Sequence, residues 1–201
     1  GMVWLATGIR EWIIKIMRVE KGTDFLDRDQ LRHYFEKGCK PNSEWGIGSE
    51  YENFILALDS KRPIGYDGPK SITTVFDLLI NKFQWVPIFE KSNIIGLEKE
   101  KANISLEPGG QFELSGAIKK TVHEVNHEMT SFIQNMKVVC EELGLGLFSM
   151  GATPYWKRDE MPIMPKNRYK KIMMPYMETV GTQGLDMMVR TCTIQVNLDY
   201  S

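Results

Sequence analysis

Cysteine and histidine are scarce in this chain of 201 residues, with three of each. Cys39, Cys140 and Cys192 lie far apart and form no Cys-x-x-Cys pair. That argues against a disulfide framework and for a reducing compartment, so a cytoplasmic setting is expected. Neither sign of charge dominates: 25 Lys and Arg stand against 26 Asp and Glu, a net charge of −1. No basic surplus calls for nucleic acid, and no acidic tail calls for a solvating role. A long apolar run is also missing. The stretch MVWLATGIREWIIKIMRV is broken by Arg10, Glu11, Lys15 and Arg18, so no membrane partner is expected. It reads instead as an amphipathic helix with Ile9, Trp12, Ile13 and Ile16 on one face. No phosphate-loop pattern follows a strand and opens a helix, and no Ser-His-Asp or Cys-His set stands out.

What is present is globular, at 42% hydrophobic and 25% charged residues. A helix is expected over 23–38, capped by Thr23 or Asp24 and stopped at Gly38. Residues 45–58 read as a strand, and 71–83 as a helix. Short strands follow at WVPIFE, NIIGLEKE and ANISLE, the last two joined as a hairpin around 99–101. The longest helix is expected over about 118–143. Its apolar stripe includes Val122, Val125, Met129, Phe132 and Met136. LGLFSMG reads as a short strand, a proline-rich loop follows, and a helix is expected around 168–180. The chain closes in the strand VRTCTIQVNLDYS. Helices and strands mix with short turns between neighbouring strands, which predicts an α+β fold with a mainly antiparallel sheet. A final strand with no closing element suggests a truncated domain.

Side chains alternate along a strand, so i and i+2 share a face. Glu50 and Glu52 share one face of GSEYENFIL. Gln111, Glu113 and Ser115 share one face of QFELS, and Glu107 joins them if the Pro-Gly-Gly turn between keeps register. In TCTIQVNLD, Gln195 and Asn197 oppose Ile194 and Val196. One reading is a wet sheet face. The other is a carboxylate cluster that needs a counter-ion, because no Lys or Arg is interleaved on the same faces. Oxygen-only donors suit Mg²⁺ or Mn²⁺, and Mg²⁺ commonly arrives with ATP. HEVNH, residues 123–127, matches a zinc-peptidase pattern, but the helical stripe turns both histidines outward. Six basic residues between Lys157 and Lys171, Lys166 and Arg168 among them, read as a solvated loop or as an anion clamp.

The segments GSEYENF, YDGP, NIIGLE, ISLEPGGQFELSGA, MPKNRY, VGTQGLDMM and RTCTIQVNLDYS resemble glutamate–cysteine ligase of the plant and proteobacterial type. The likeness runs from about residue 44 to the end. The resemblance implies a glutamine-synthetase-like fold: a curved, mainly antiparallel sheet with flanking helices, whose concave face holds Mg²⁺, ATP and substrates. It divides the chain into a helical segment, 1–43, and the amino-terminal half of a catalytic domain, 44–201. It implies a ligase that joins glutamate to cysteine through a γ-glutamyl phosphate, in the first step of glutathione synthesis. Glu50, Glu52, Glu107, Glu113 and Gln195 would bind metal, and Gln111 and Asn197 the nucleotide. Tyr176 would line the amino-acid pocket, and Arg168 and Arg190 would neutralise carboxylate or phosphate. A homodimer through the exposed sheet edge is expected. Another carboxylate–amine ligase of this fold, or a non-catalytic nucleotide- or glutamate-binding module, stays open as an alternative. Two departures stand out. Tyr51 and Asn53 replace the expected His and Lys, and the chain is one residue longer than the family pattern between Tyr169 and Ile172.

Overall fold

A computed structural model of the chain describes residues 27–201. The amphipathic stretch around 9–16 and the caps expected at Thr23 or Asp24 lie outside the described residues. Helix α1, Arg28–Glu36, is capped by Asp27, which forms a reciprocal capping box with Gln30. Its end meets the other end of the chain. The Tyr200 hydroxyl donates to the Phe35 carbonyl at 2.9 Å, and Lys40 pairs with Asp199 at 2.6 Å.

Strand β1, Ile47–Ala57, is followed by α2, Ile72–Phe83, capped by Ser71. Then come β2, Val86–Glu90; β3, Asn93–Lys99; β4, Ala102–Leu106; and β5, Phe112–Ser115. Helix α3, Val122–Leu143, starts four residues later than expected. Thr121 and Glu124 form a capping box there, while Lys119 pairs with Ile47 in extended conformation. Val122 is accordingly exposed, and the buried stripe begins further along, at Phe132 and Met136. Strand β6, Leu145–Phe148, leads into the proline-rich segment. A π turn over Tyr169–Met173, helix α4, Met174–Thr179, helix α5, Gly184–Arg190, and β7, Ile194–Leu198, complete the path. Helix α5 interrupts a stretch whose end alone read as strand.

All the strand pairings are antiparallel, in the order β2-β3-β4-β5-β1-β6, with β7 also paired to β1. The α+β class holds. The curved, glutamine-synthetase-like sheet does not: the sheet is open, neither curved nor closed. The register gives the reason. β5 pairs with β1 at Glu50–Asn53 along one edge. β7 pairs with Ile47–Tyr51 and β6 with Phe54–Ala57, end to end along the other edge. The eleven-residue β1 thus serves three partners, and among the described residues no strand links β2 back to β6.

Helices α2 and α3 pack on one side of the sheet, over a core that includes Ile55, Leu97, Ile104, Phe112 and Leu114. The loop from Ser149 to Tyr169, with α5, covers part of the opposite side. Met164 N donates to the Pro108 carbonyl at 3.0 Å, pinning that loop onto the β4–β5 hairpin. A cover, rather than sheet curvature, therefore shelters the acidic face.

Candidate active site

The β4–β5 hairpin turns through Pro108-Gly109-Gly110. Glu107 N donates to the Gln111 carbonyl at 2.8 Å, and Gly110 N to the Glu107 carbonyl at 2.9 Å. Gly110 has φ +85°, a conformation open chiefly to glycine. Gly109 is required by proximity. A Cβ there would collide with the Val189 carbonyl oxygen and lie 2.8 Å from the Val189 C and Cα. The turn keeps register, so Glu107 and Gln111 stay on the face of Glu113.

Strand pairing then assembles the acids. Glu52 lies opposite Glu113, and Glu113 opposite Ser105, in one row across β1, β5 and β4. Ser115, Glu50 and Gln195 form the next row across β5, β1 and β7. Glu50, Glu107 and Glu113 are 9%, 7% and 7% exposed. A wet face is therefore ruled out at the hairpin, although Gln195 and Asn197 on β7 are exposed. The cluster is closed at β4–β5 and open towards β7.

Each carboxylate is held by hydroxyl, amide or backbone donors. Ser115 Oγ donates to Glu113 Oε1 at 2.6 Å, and Ser105 Oγ to Glu107 Oε1 at 3.1 Å. Thr193 N donates to Glu52 Oε2 at 2.7 Å. Asn197 Nδ2 donates to Glu50 Oε1 at 3.3 Å. The Tyr169 hydroxyl, fully buried, donates to the Leu106 carbonyl at 2.6 Å and lies 3.5 Å from Glu107 Oε2. Burial pushes Glu113 up to about 7 against the Ser115 hydrogen bond, with the charges of Glu107, Glu50 and Glu52 adding to the rise. Burial also raises Glu52, opposed by the Thr193 backbone hydrogen bond. Lys166 is 9% exposed, and desolvation lowers its amine to about 8.

The donor set fits a hard divalent cation in kind. It is all oxygen, it sits on strands, and burial raises two of its acids, Glu52 and Glu113, against ionisation. Among the described residues, no three His, Cys, Asp or Glu side chains converge on one point that could hold a metal ion.

The model of glutamate-cysteine ligase family 2 (GCS2) matches residues 46–201. The chain belongs to this family. It is 48% identical over 179 residues to glutamate–cysteine ligase B, chloroplastic, and 48% to ligase A, chloroplastic, both of Oryza sativa subsp. japonica. It is 46% identical over 179 residues to glutamate–cysteine ligase, chloroplastic, of Arabidopsis thaliana. Each alignment covers 89% of this chain but only 34–36% of the relative. The chain thus spans about a third of the length of the curated relatives it matches. The word chloroplastic in these names overturns the cytoplasmic expectation. Unpaired cysteines report a reducing environment and do not say which compartment provides it.

Within this family member, the other site residues expected from the resemblance fall in different places. Gln111 acts as a latch. Its Oε1 accepts from Gly109 N at 2.8 Å, while Nε2 donates to the Thr191 carbonyl at 2.8 Å and the Met188 carbonyl at 3.2 Å. Arg168 lies beside the cluster, with its guanidinium carbon 5.1 Å from the Tyr169 ring centroid. Arg190 is away from the acids, donating to Asp186 Oδ1 at 2.8 Å and to the Thr153 carbonyl at 2.9 Å. Tyr176 is exposed on α4. His123 and His127 are exposed on α3, as the stripe predicts.

The two places expected to depart from the family pattern lie away from the acids. Tyr51 and Asn53 point to the helical side, where Asn53 Oδ1 accepts from Ser149 Oγ and Tyr51 packs edge-on against Phe132. The stretch after Tyr169, where one extra residue is expected, forms a π turn over Tyr169–Met173. Tyr169 was missed by the sequence reading, and Lys166 stood only as one of six basic residues. The proline-led spacing Lys166, Arg168, Tyr169 was the available signal.

Proposed function

We propose that this chain forms part of the catalytic face of an ATP-dependent ligase that joins the γ-carboxylate of glutamate to the amine of cysteine. The observation that carries the reading is the set Glu50, Glu52, Glu107 and Glu113, gathered on one covered face in a member of the glutamate–cysteine ligase family. In this reaction the γ-phosphoryl group of ATP passes to the glutamate carboxylate. The cysteine amine then attacks the acyl carbon and displaces phosphate, giving γ-glutamylcysteine, the first step of glutathione synthesis. A carboxylate and a triphosphate repel each other, and bound Mg²⁺ or Mn²⁺ would supply the neutralising charge.

The chain's own part is positioning. Glu50, Glu52, Glu107 and Glu113 are the proposed metal ligands, with Gln195 beside them on β7. Thr193, Ser105 and Ser115 fix the carboxylate oxygens. Asn197 steadies Glu50 on the open side, where the nucleotide would enter. Gln111 serves the nucleotide side by fixing the turn against α5. Arg168 supplies a cation next to Glu107. Tyr176 and Arg190 are the proposed contacts to the amino-acid substrates, and the setting is that of the relatives, chloroplastic.

Calorimetry tests the reading. With Mg²⁺, a non-hydrolysable ATP analogue and glutamate should each bind, and Glu52→Gln combined with Glu107→Gln should weaken the nucleotide about tenfold or more. No heat from either ligand at millimolar concentration would sink it. With ATP, glutamate and a panel of amines, ADP release specific to cysteine would exclude a different acceptor. The free edge of β7 is also a place for a second copy. Sedimentation should then show a concentration-dependent dimer, and a single monomeric species throughout would count against it.

A further inference from the structure

Lys166 is the most buried cation among the described residues. Its backbone is fixed. Lys166 N donates to the Met164 carbonyl at 2.9 Å, and Tyr169 N donates to the Lys166 carbonyl at 3.0 Å. Its amine lies 5.4 Å from the centroid of the Tyr169 ring, and the Arg168 guanidinium carbon lies 5.1 Å from the same centroid. One aromatic side chain thus gathers two positive charges, which repel each other. Neither forms an ion pair among the described residues.

The nearby acids attract Lys166 without using its hydrogen-bond donors. Glu107, Glu113 and Glu90 face it electrostatically. Both Glu107 oxygens and Glu113 Oε1, however, already accept hydrogen bonds from Ser105, Tyr169 and Ser115. Arg168 Nε is buried without a hydrogen-bond partner among the described residues, and the Lys166 side chain beside it is buried. A desolvated cation with idle donors is costly unless something anionic fills the gap. Two such cations side by side match the needs of an oxyanion, which accepts several charge-assisted hydrogen bonds at once.

We propose that Lys166, together with Arg168, forms an oxyanion subsite at the covered end of the carboxylate cluster, taking a phosphate or carboxylate group of a substrate. This rests on the ligase reading and deepens it: Lys166 becomes a substrate-binding residue on the side of the cluster away from β7. The shared chemistry is a multi-oxygen anion, and its source is either the phosphoryl donor or the amino acid.

The test follows the Lys166 amine directly. Protein carrying ¹³C,¹⁵N-lysine is titrated by NMR with orthophosphate and, separately, with glutamate, both without metal. The Lys166 side-chain signal, assigned by its loss in Lys166→Met, should move with one of them. That ligand identifies the source. Lys166→Met should weaken the same ligand about tenfold or more, the value of one charge-assisted hydrogen bond. An unmoved signal with both ligands, or equal affinity in a cooperatively melting Lys166→Met protein, overturns the subsite. If orthophosphate moves the signal while the nucleotide analogue and glutamate give no heat, the ligase reading falls and the subsite stands. If both ligands give heat and the signal stays still, the subsite alone falls.

Discussion

Gly109→Ala should destabilise the protein by about 2–4 kcal/mol, the range of a core clash that cannot relax cheaply. The new methyl group would meet backbone, namely the Val189 carbonyl group and Cα. Neither wall can yield alone. Gly109 N is bonded to Gln111 Oε1, and the same amide holds the Met188 and Thr191 carbonyls through Nε2. Moving the hairpin away from α5 would therefore break the latch and loosen the row that carries Glu107 and Glu113. Gly151→Ala is the control, because a Cβ there meets nothing within 4 Å. Urea unfolding measures both. A Gly109→Ala protein within about 0.5 kcal/mol of wild type, the scatter of neutral surface changes, would show that the contact is not tight.

The second large effect is a fall in stability as pH rises from about 5 to 8 in metal-free protein. Glu113 is raised from 4.5 to about 7, chiefly by desolvation. Between those values the native state keeps a proton that the unfolded chain has released, so raising the pH favours unfolding. Below 4.5 both states are protonated and the contribution is complete; above 7 it is gone. The shift corresponds to roughly 2–3 kcal/mol after allowance for relaxation around the ionised group. Glu52, also raised, acts in the same direction. Lowered acids such as Asp59, Glu124 and Asp186 lose their contribution only as pH falls below the ordinary carboxylate range, outside this window. Lys166 acts between about 8 and 10.5, above it. Glu113→Gln should remove most of the slope and be the more stable protein at pH 8. Urea titrations at pH 5 and pH 8 decide the point. An unchanged slope in Glu113→Gln would place the titration elsewhere.

The two predictions share a cause. The β4–β5 hairpin is buried from Ile104 to Ser115, and it carries two glutamates and a glutamine into that burial. A stretch selected for stability alone would hold Val or Thr at those positions. The latch of Gln111 and the serine donors limit the cost but do not offset the desolvation of Glu113.

Much of this was legible in one dimension. The two-residue period put Glu50 with Glu52 and Gln111 with Glu113, because alternation is a property of the extended backbone itself. The Thr121 capping box at the start of α3 was passed over for residue 118, whereas the end of α3 at Gly144, a left-handed C-cap, is local and legible. The stripe on α3 turned His123 and His127 outward for the same reason. Family membership was also written in the order of the motifs.

Pairing was not legible. Which strands lie side by side depends on contacts far apart in sequence. The openness of the sheet, with β6 and β7 end to end on β1, therefore had to come from the tertiary structure. Burial was hidden too. Period two describes a wet face and a buried acidic face equally well, and only the covering loop and α5 separate them. That cover also turned Lys166 from one of six basic residues into a buried cation, and gave Gln111 its partners on α5. The sequence by itself determined which side chains could share a face. The tertiary structure decided which faces lose water, and loss of water sets the energies of the charges in this site.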